Sequence, residues 1–208
     1  MGEKSDFQPL TREDKITVIF YRAGIVMSAV VLCISAFLAL KTRYGSDLQN
    51  YPMITSGLVM NILLLSLYFG AGLSVFFIHL YIGKFHRVLK KIYYAAVFCL
   101  ALLFYIGNGN PVMPLFRIPS YSALLLMPLA LCLGFITAKE AFCFQLFEGY
   151  MLSIIMPAYV FFYAIGISTT RGIAFGLAAV AVLFVFFTVR KVFQPIHYDI
   201  GDKSAYQQ

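Results

Sequence analysis

Six stretches of this 208-residue chain carry no Asp, Glu, Lys or Arg: 23–40, 48–83, 92–116, 118–138, 149–170 and 172–189. They are 18, 36, 25, 21, 22 and 18 residues long, so every charge falls in the remaining 68 positions. A charge-poor apolar stretch of about 20 residues matches the ~30 Å hydrocarbon core of a bilayer at ~1.5 Å rise per residue. Segments such as Leu58–Phe69 and Ala178–Phe187 are apolar nearly throughout. The strands of a membrane β-barrel would instead alternate in polarity. The pattern predicts an all-α, polytopic transmembrane helical bundle of about six spans, near 17–40, 53–82, 92–106, 120–137, 150–168 and 172–189. It divides the chain into an N-terminal tail (1–16), a six-helix membrane domain (17–189) and a C-terminal tail (190–208).

Helix breakers mark the joints. Gly107-Asn108-Gly109-Asn110-Pro111, followed by Pro114 and Pro119, ends the third helix, and Ser168-Thr169-Thr170-Arg171-Gly172 reverses the chain before the sixth. Pro128 and Pro157 fall inside the fourth and fifth spans and predict kinks there. The second span is the longest, which predicts a tilted or projecting helix. Small residues recur every four positions at Ser66, Gly70 and Ser74, at Gly172 and Gly176, and at Gly24 and Ser28. Such spacing forms grooves in which helix backbones pack closely.

Charge then sets the topology. With six spans, one face collects Lys4, Arg12, Lys15, Arg22, Lys84, Arg87, Lys90, Lys91, Lys139, Arg190, Lys191 and Lys203. The other face has only Lys41, Arg43, Arg117 and Arg171. That 12-to-4 division is a positive-inside signal, so both termini are expected in the cytosol of a multi-pass cell (inner) membrane protein. The net charge of +7 fits contact with anionic lipid headgroups at these loops, and 61% hydrophobic residues exclude a soluble or nucleic-acid-binding chain. The polar N-terminus, with no small-residue cleavage site behind the first apolar run, reads as a mature cytosolic tail. In a chain with no Trp, tyrosines near helix ends (Tyr21, Tyr44, Tyr51, Tyr81, Tyr93, Tyr94, Tyr105, Tyr121 and Tyr150) are expected to supply the interfacial aromatic belt. Cys33, Cys99, Cys132 and Cys143 give no disulfide framework.

The remaining unusual polar residues converge on the expected cytosolic face. His79 and His86 are seven residues apart, which places them on nearly one helical face if the helix continues through Gly83. Arg87 follows directly. Between the fourth and fifth spans lie Lys139, Glu140, Cys143 and Glu148, in a segment (139–148) open to three arrangements: along the interface, dipping inward or extending a helix. Imidazole, carboxylate and thiol together are transition-metal donors, and paired histidines can hold a haem. His79, His86, Glu140 and Cys143 are therefore the candidate metal set, although neither spacing is a metal signature and no cofactor is assigned. The competing structural reading pairs Glu140 with Lys139, Arg87 or Lys90 and satisfies His79 from a neighbouring helix.

The block Lys139-Glu140-Ala141-Phe142-Cys143-Phe144, with His86-Arg87-Val88-Leu89-Lys90, resembles an uncharacterised integral-membrane family of cyanobacteria, plastids and other bacteria. The resemblance runs from about Tyr21 to Val189. It implies a helical protein of a bacterial inner or thylakoid-type membrane, and it carries no activity. Three readings of function follow. The leading one is an accessory, assembly or interaction protein, with a membrane-protein partner or a second copy of the chain as its neighbour. A small-solute or ion transporter is the second, although polar residues near the midplane (Asn61, Ser66, Ser153) are too few for a hydrophilic path. A membrane redox, metal or haem protein is the third.

Overall fold

The computed structural model describes residues 11–44, 57–80 and 83–200. Among them the chain forms α1 (Arg12–Tyr44), α2 (Leu58–Phe77), α3 (Gly83–Ile106), α4 (Met113–Arg117), α5 (Pro119–Leu124), α6 (Met127–Phe144), α7 (Phe147–Ala164), α8 (Thr170–Val192) and α9 (His197–Ile200), and no strand. Six segments are long and apolar enough to cross a bilayer: Arg12–Lys41, Leu58–Phe77, Gly83–Ile106, Tyr121–Phe144, Phe147–Ala164 and Arg171–Val192. The all-helical, six-span expectation holds. Tyr51 and Tyr81, most of the expected N-terminal tail (1–10) and the end of the C-terminal one (201–208) lie outside the described residues.

Several boundaries differ from the apolar pattern, each for a local reason. α1 begins before its apolar run because Thr11 and Asp14 form a reciprocal cap. The Asp14 N–H donates to Thr11 Oγ1 at 3.2 Å and the Thr11 N–H to Asp14 Oδ2 at 2.9 Å. α2 stops at Phe77, with Ile78 in extended conformation, so the predicted unbroken helix to 82 is wrong. The basic run 83–91, expected as a loop, is the opening of α3. Lys and Arg are good helix formers, and Leu89 anchors that turn at 0% exposure. Pro128 sits in the first turn of α6 and starts a helix instead of kinking one. Pro157 lies within α7 as expected.

Of the arrangements open for 139–148, the structure takes helix extension for its first six residues. Residues 139–144 continue α6, Gln145 ends it in the left-handed region (φ 52°), and α7 starts at Phe147. This tight hairpin lets α6 and α7 run side by side. A Cβ on Gly149 would stand 2.6 Å from the Thr137 carbonyl oxygen, so only glycine permits that approach.

α1 packs against α2 on one side and α8 on the other. Its contact with α2 uses Gly24 and Ser28 against Gly70 and Ser74. A Cβ on Gly24 would meet the Gly70 carbonyl oxygen at 2.5 Å. Gly176 lies against the Tyr159 ring, and the Gly172 N–H donates to Thr169 Oγ1 at 3.1 Å to cap α8. Ser66 is half-buried on α2. α3 is peripheral: its buried residues are Leu89, Ala96 and Leu103, spaced by seven, and Tyr94, Phe98 and Tyr105 face outward. At the far end, Asn61 Oδ1 accepts from the Val112 N–H at 3.3 Å and Tyr163 donates to the Leu115 carbonyl at 2.7 Å. These two bonds hold the α4–α5 segment against α2 and α7.

Candidate functional site

At the end of the bundle where α1 starts and α8 finishes, five ionisable groups alternate in sign: Lys139, Glu140, Lys191, Asp199 and Arg22. Consecutive residues on α1 reach both ends of this chain of charges. Tyr21 donates its hydroxyl to Glu140 Oε1 at 2.7 Å, and Arg22 pairs with Asp199 Oδ2 at 2.6 Å. Lys139 donates to the same Glu140 oxygen at 2.7 Å. Lys191, at the end of α8, pairs with Glu140 Oε2 on one side and Asp199 Oδ1 on the other. Its ammonium also lies 4.2 Å from the centre of the Phe144 ring.

Burial decides what this network is for. Glu140 and Lys191 are 0% exposed, Tyr21 1% and Asp199 4%. A lone charge in such a place is strongly disfavoured, so each must be matched. The Arg22 guanidinium additionally donates to the carbonyls of Val192 (2.8 Å), Gln194 (2.7 Å) and Pro195 (3.3 Å). It thereby satisfies the unpaired end of α8 and ties α1 to α9.

The histidines meet beside this network, by a route the helical spacing does not describe. The chain breaks after α2, and His79 and His86 line one cavity of about 260 Å³ with Thr17, Phe76 and Phe77. The Thr17 hydroxyl lies within hydrogen-bond distance of the Glu13 and Asp14 carbonyls and 3.3 Å from His79 Nε2. His86 Nε2 donates to the Val75 carbonyl at 3.2 Å. His79 Nδ1 is buried with no hydrogen-bond partner among the described residues. Burial, chiefly, and then Lys139 hold the His79 pKa below its ordinary value, against the opposing pull of Asp199 and Asp14.

The other candidates join neither the ion-pair network nor the histidine cavity, although Cys143 lies beside the network. Cys143 and Arg87 are exposed. Glu148 accepts two bonds from Arg190, at 2.7 and 2.9 Å, in a pair whose arginine side chain is 53% exposed. Among the described residues no three His, Cys, Asp or Glu side chains gather to hold a metal, and Glu140 is already engaged by two lysines and a tyrosine. The set His79, His86, Glu140 and Cys143 therefore does not assemble as a ligand shell. The side chain of His197 lies outside those described.

Sequence reasoning assigned Tyr21 to the interfacial belt and Arg22 and Lys191 to topology, and gave Asp199 no role. The available signal was position. Arg22 immediately precedes the run 23–40 and Lys191 lies one residue past Arg190 at the end of the run 172–189, at the depth where an unmatched charge is already disfavoured.

No solved structure matches this chain. A protein of Haemophilus influenzae described as "Uncharacterized protein" is 25% identical over 201 residues, which are 96% of this chain and 95% of that relative. Residues 73–208, from the end of α2 through every polar residue of the network except Tyr21 and Arg22, match the model of one family. With its six bilayer-length helices, this chain is a multi-pass integral membrane protein belonging to the family described as "Uncharacterized integral membrane protein (DUF2301)".

Proposed function

We propose that the protein is a non-catalytic membrane component that works by holding a neighbouring membrane protein, with its charged end in the cytosol. One observation carries this reading: Glu140, the group best suited to chemistry, is 0% exposed and claimed by Lys139, Lys191 and Tyr21. Its pairings join α1, α6 and α8, Asp199 adds α9 through Lys191 and Arg22, and water is excluded from the centre of the network. The shallow seating of α3 supports the same reading. A helix that buries one residue in seven leaves most of its circumference for lipid or a partner, and Tyr94, Phe98 and Tyr105 present a row of aromatic side chains there.

The 12-to-4 distribution of Lys and Arg supports the orientation. A transporter of hydrophilic solutes is disfavoured, because the central cavity described below has an apolar wall. The test is native electrophoresis of mildly solubilised membranes, comparing the wild-type chain with a Tyr94→Ala/Phe98→Ala/Tyr105→Ala variant. A wild-type complex of defined stoichiometry that the triple variant loses while still folding supports the reading. A wild-type chain that runs alone, or a complex indifferent to those residues, overturns it.

A further inference from the structure

We propose that the centre of the bundle is a binding site for the end of a hydrocarbon chain belonging to a surrounding membrane lipid. The site requires only the bundle and not the neighbour proposed above. Five of the six long helices (α1, α2, α6, α7 and α8) enclose a cavity of about 130 Å³, walled by Leu32, Leu64, Leu67, Leu133, Met156 and Val180 among others. Tyr159 alone among its lining residues carries a side-chain hydroxyl, and that group is spent on the Ile173 carbonyl at 3.0 Å.

The wall decides the occupant. A buried water needs two to four polar partners, which this wall lacks, whereas an apolar cavity of about 150 Å³ stays dry and admits benzene or xenon. Depth decides the source. Leu133 lies seven residues from Glu140, and Leu32 and Val180 lie eleven from Tyr21 and Lys191. At ~1.5 Å per residue the cavity is ~10–16 Å from the charged network. With a hydrocarbon core ~30 Å thick, that is near the midplane, where the methyl ends of lipid chains lie. The cavity is not sealed, and entry of a chain end from the bilayer is part of the proposal. Close packing is the rule for protein interiors, and a void shared by five helices is explained if something fills it.

The experiment places the full chain in phosphatidylethanolamine/phosphatidylglycerol vesicles doped with a phosphatidylcholine bearing a diazirine at the end of one acyl chain. After irradiation, adducts are mapped by mass spectrometry. Leu133 and Val180, 5% and 3% exposed, are out of reach of lipid that stays outside; Phe98 and Ile154, 65% and 70% exposed, report the outer surface. The proposal predicts adducts at both sets, and a drop of about tenfold or more at the inner set alone in Ala130→Leu, whose added side chain fills the cavity; tenfold is ~1.4 kcal/mol of affinity. If that variant does not fold, xenon under pressure provides the second reading and is expected to suppress the inner adducts while sparing the outer ones. Outer adducts without inner ones in the wild-type protein overturn the proposal. They do so even if xenon enters, since the site would then admit only small free solutes.

Discussion

Glu140 on α6 and Lys191 on α8 form an ion pair from which water is fully excluded, each side chain being 0% exposed. A second pair joins α7 and α8 nearby, between Glu148 and Arg190, but there the arginine is 53% exposed. The two pairs have the same chemistry in different surroundings and should differ sharply in weight. Exposed pairs contribute roughly 0–1 kcal/mol. Hydrogen bonds to a buried charge contribute about 1.5–3 kcal/mol. Tyr21→Phe, which removes one donor to Glu140, is therefore expected to destabilise the bundle by about 1.5–3 kcal/mol. Glu148→Gln should stay within about 1 kcal/mol of wild type in the same detergent-unfolding assay. Equal effects would mean that burial does not set the strength of these contacts.

Backbone proximity gives a sharper contrast. At Gly24 an added methyl would collide with the Gly70 carbonyl and with Ser74, whereas at Gly83 nothing lies within 4 Å. Gly24→Ala is expected to cost about 1–3 kcal/mol as α1 and α2 are forced apart. Gly83→Ala should be neutral or slightly stabilising, because alanine favours the first turn of α3. Thermal melts of the two variants side by side check this, and a Gly24→Ala protein that melts like wild type would refute the α1–α2 contact.

His79 makes stability depend on pH in a stated direction. Its folded pKa lies below the unfolded value near 6.5, with burial as the first cause, so the unfolded chain binds the proton more readily. The stability from neutral His79 is fully present above about pH 6.5 and is lost as pH falls through that value toward the folded pKa. The groups facing it are Lys139 on α6, Asp199 on α9, Asp14 on α1 and His86 on α3. Melting temperature should fall between about pH 7 and 5 in wild type and fall less in His79→Gln. A wild-type profile that rises toward acid would contradict the burial of this ring.

The spans were legible because exclusion of charge from hydrocarbon writes itself directly into the chain, as the runs 23–40 and 172–189 illustrate. Their ends were less so. The reciprocal cap at Thr11 and Asp14 and the helical character of Lys84–Lys91 are local effects that an apolar window does not weigh. The network was only half visible. Lys139 and Glu140 are adjacent in sequence, but Lys191, Asp199 and Arg22 join them through the packing of α1, α6, α8 and α9. No periodicity encodes contacts at that separation. His79 and His86 share a cavity because the helix between them breaks, so the assumption of continuity pointed to the right pair for the wrong physical reason.

The proposed orientation rests on the 12-to-4 charge division and is open to a direct check. Cys143 is exposed close to the charged network, while Cys132 is buried. A variant that keeps Cys143 and replaces Cys33, Cys99 and Cys132 with alanine should resist a membrane-impermeant maleimide in intact cells and react once the membrane is opened. Labelling of intact cells would invert the topology.

The central claim is that Glu140 and Lys191 clamp the fold and do not act on a substrate. A double-mutant cycle on unfolding in detergent tests it, using Glu140→Gln, Lys191→Met and the two combined. Glu140→Gln takes a carboxylate from buried Lys139 and Lys191, and Lys191→Met takes a cation from Glu140 and Asp199, which keep Lys139 and Arg22. Each single variant should cost about 1.5–3 kcal/mol, and the double variant should cost well under the sum. Single variants that unfold like wild type, or losses that simply add, would show that the pair does not hold α6 to α8.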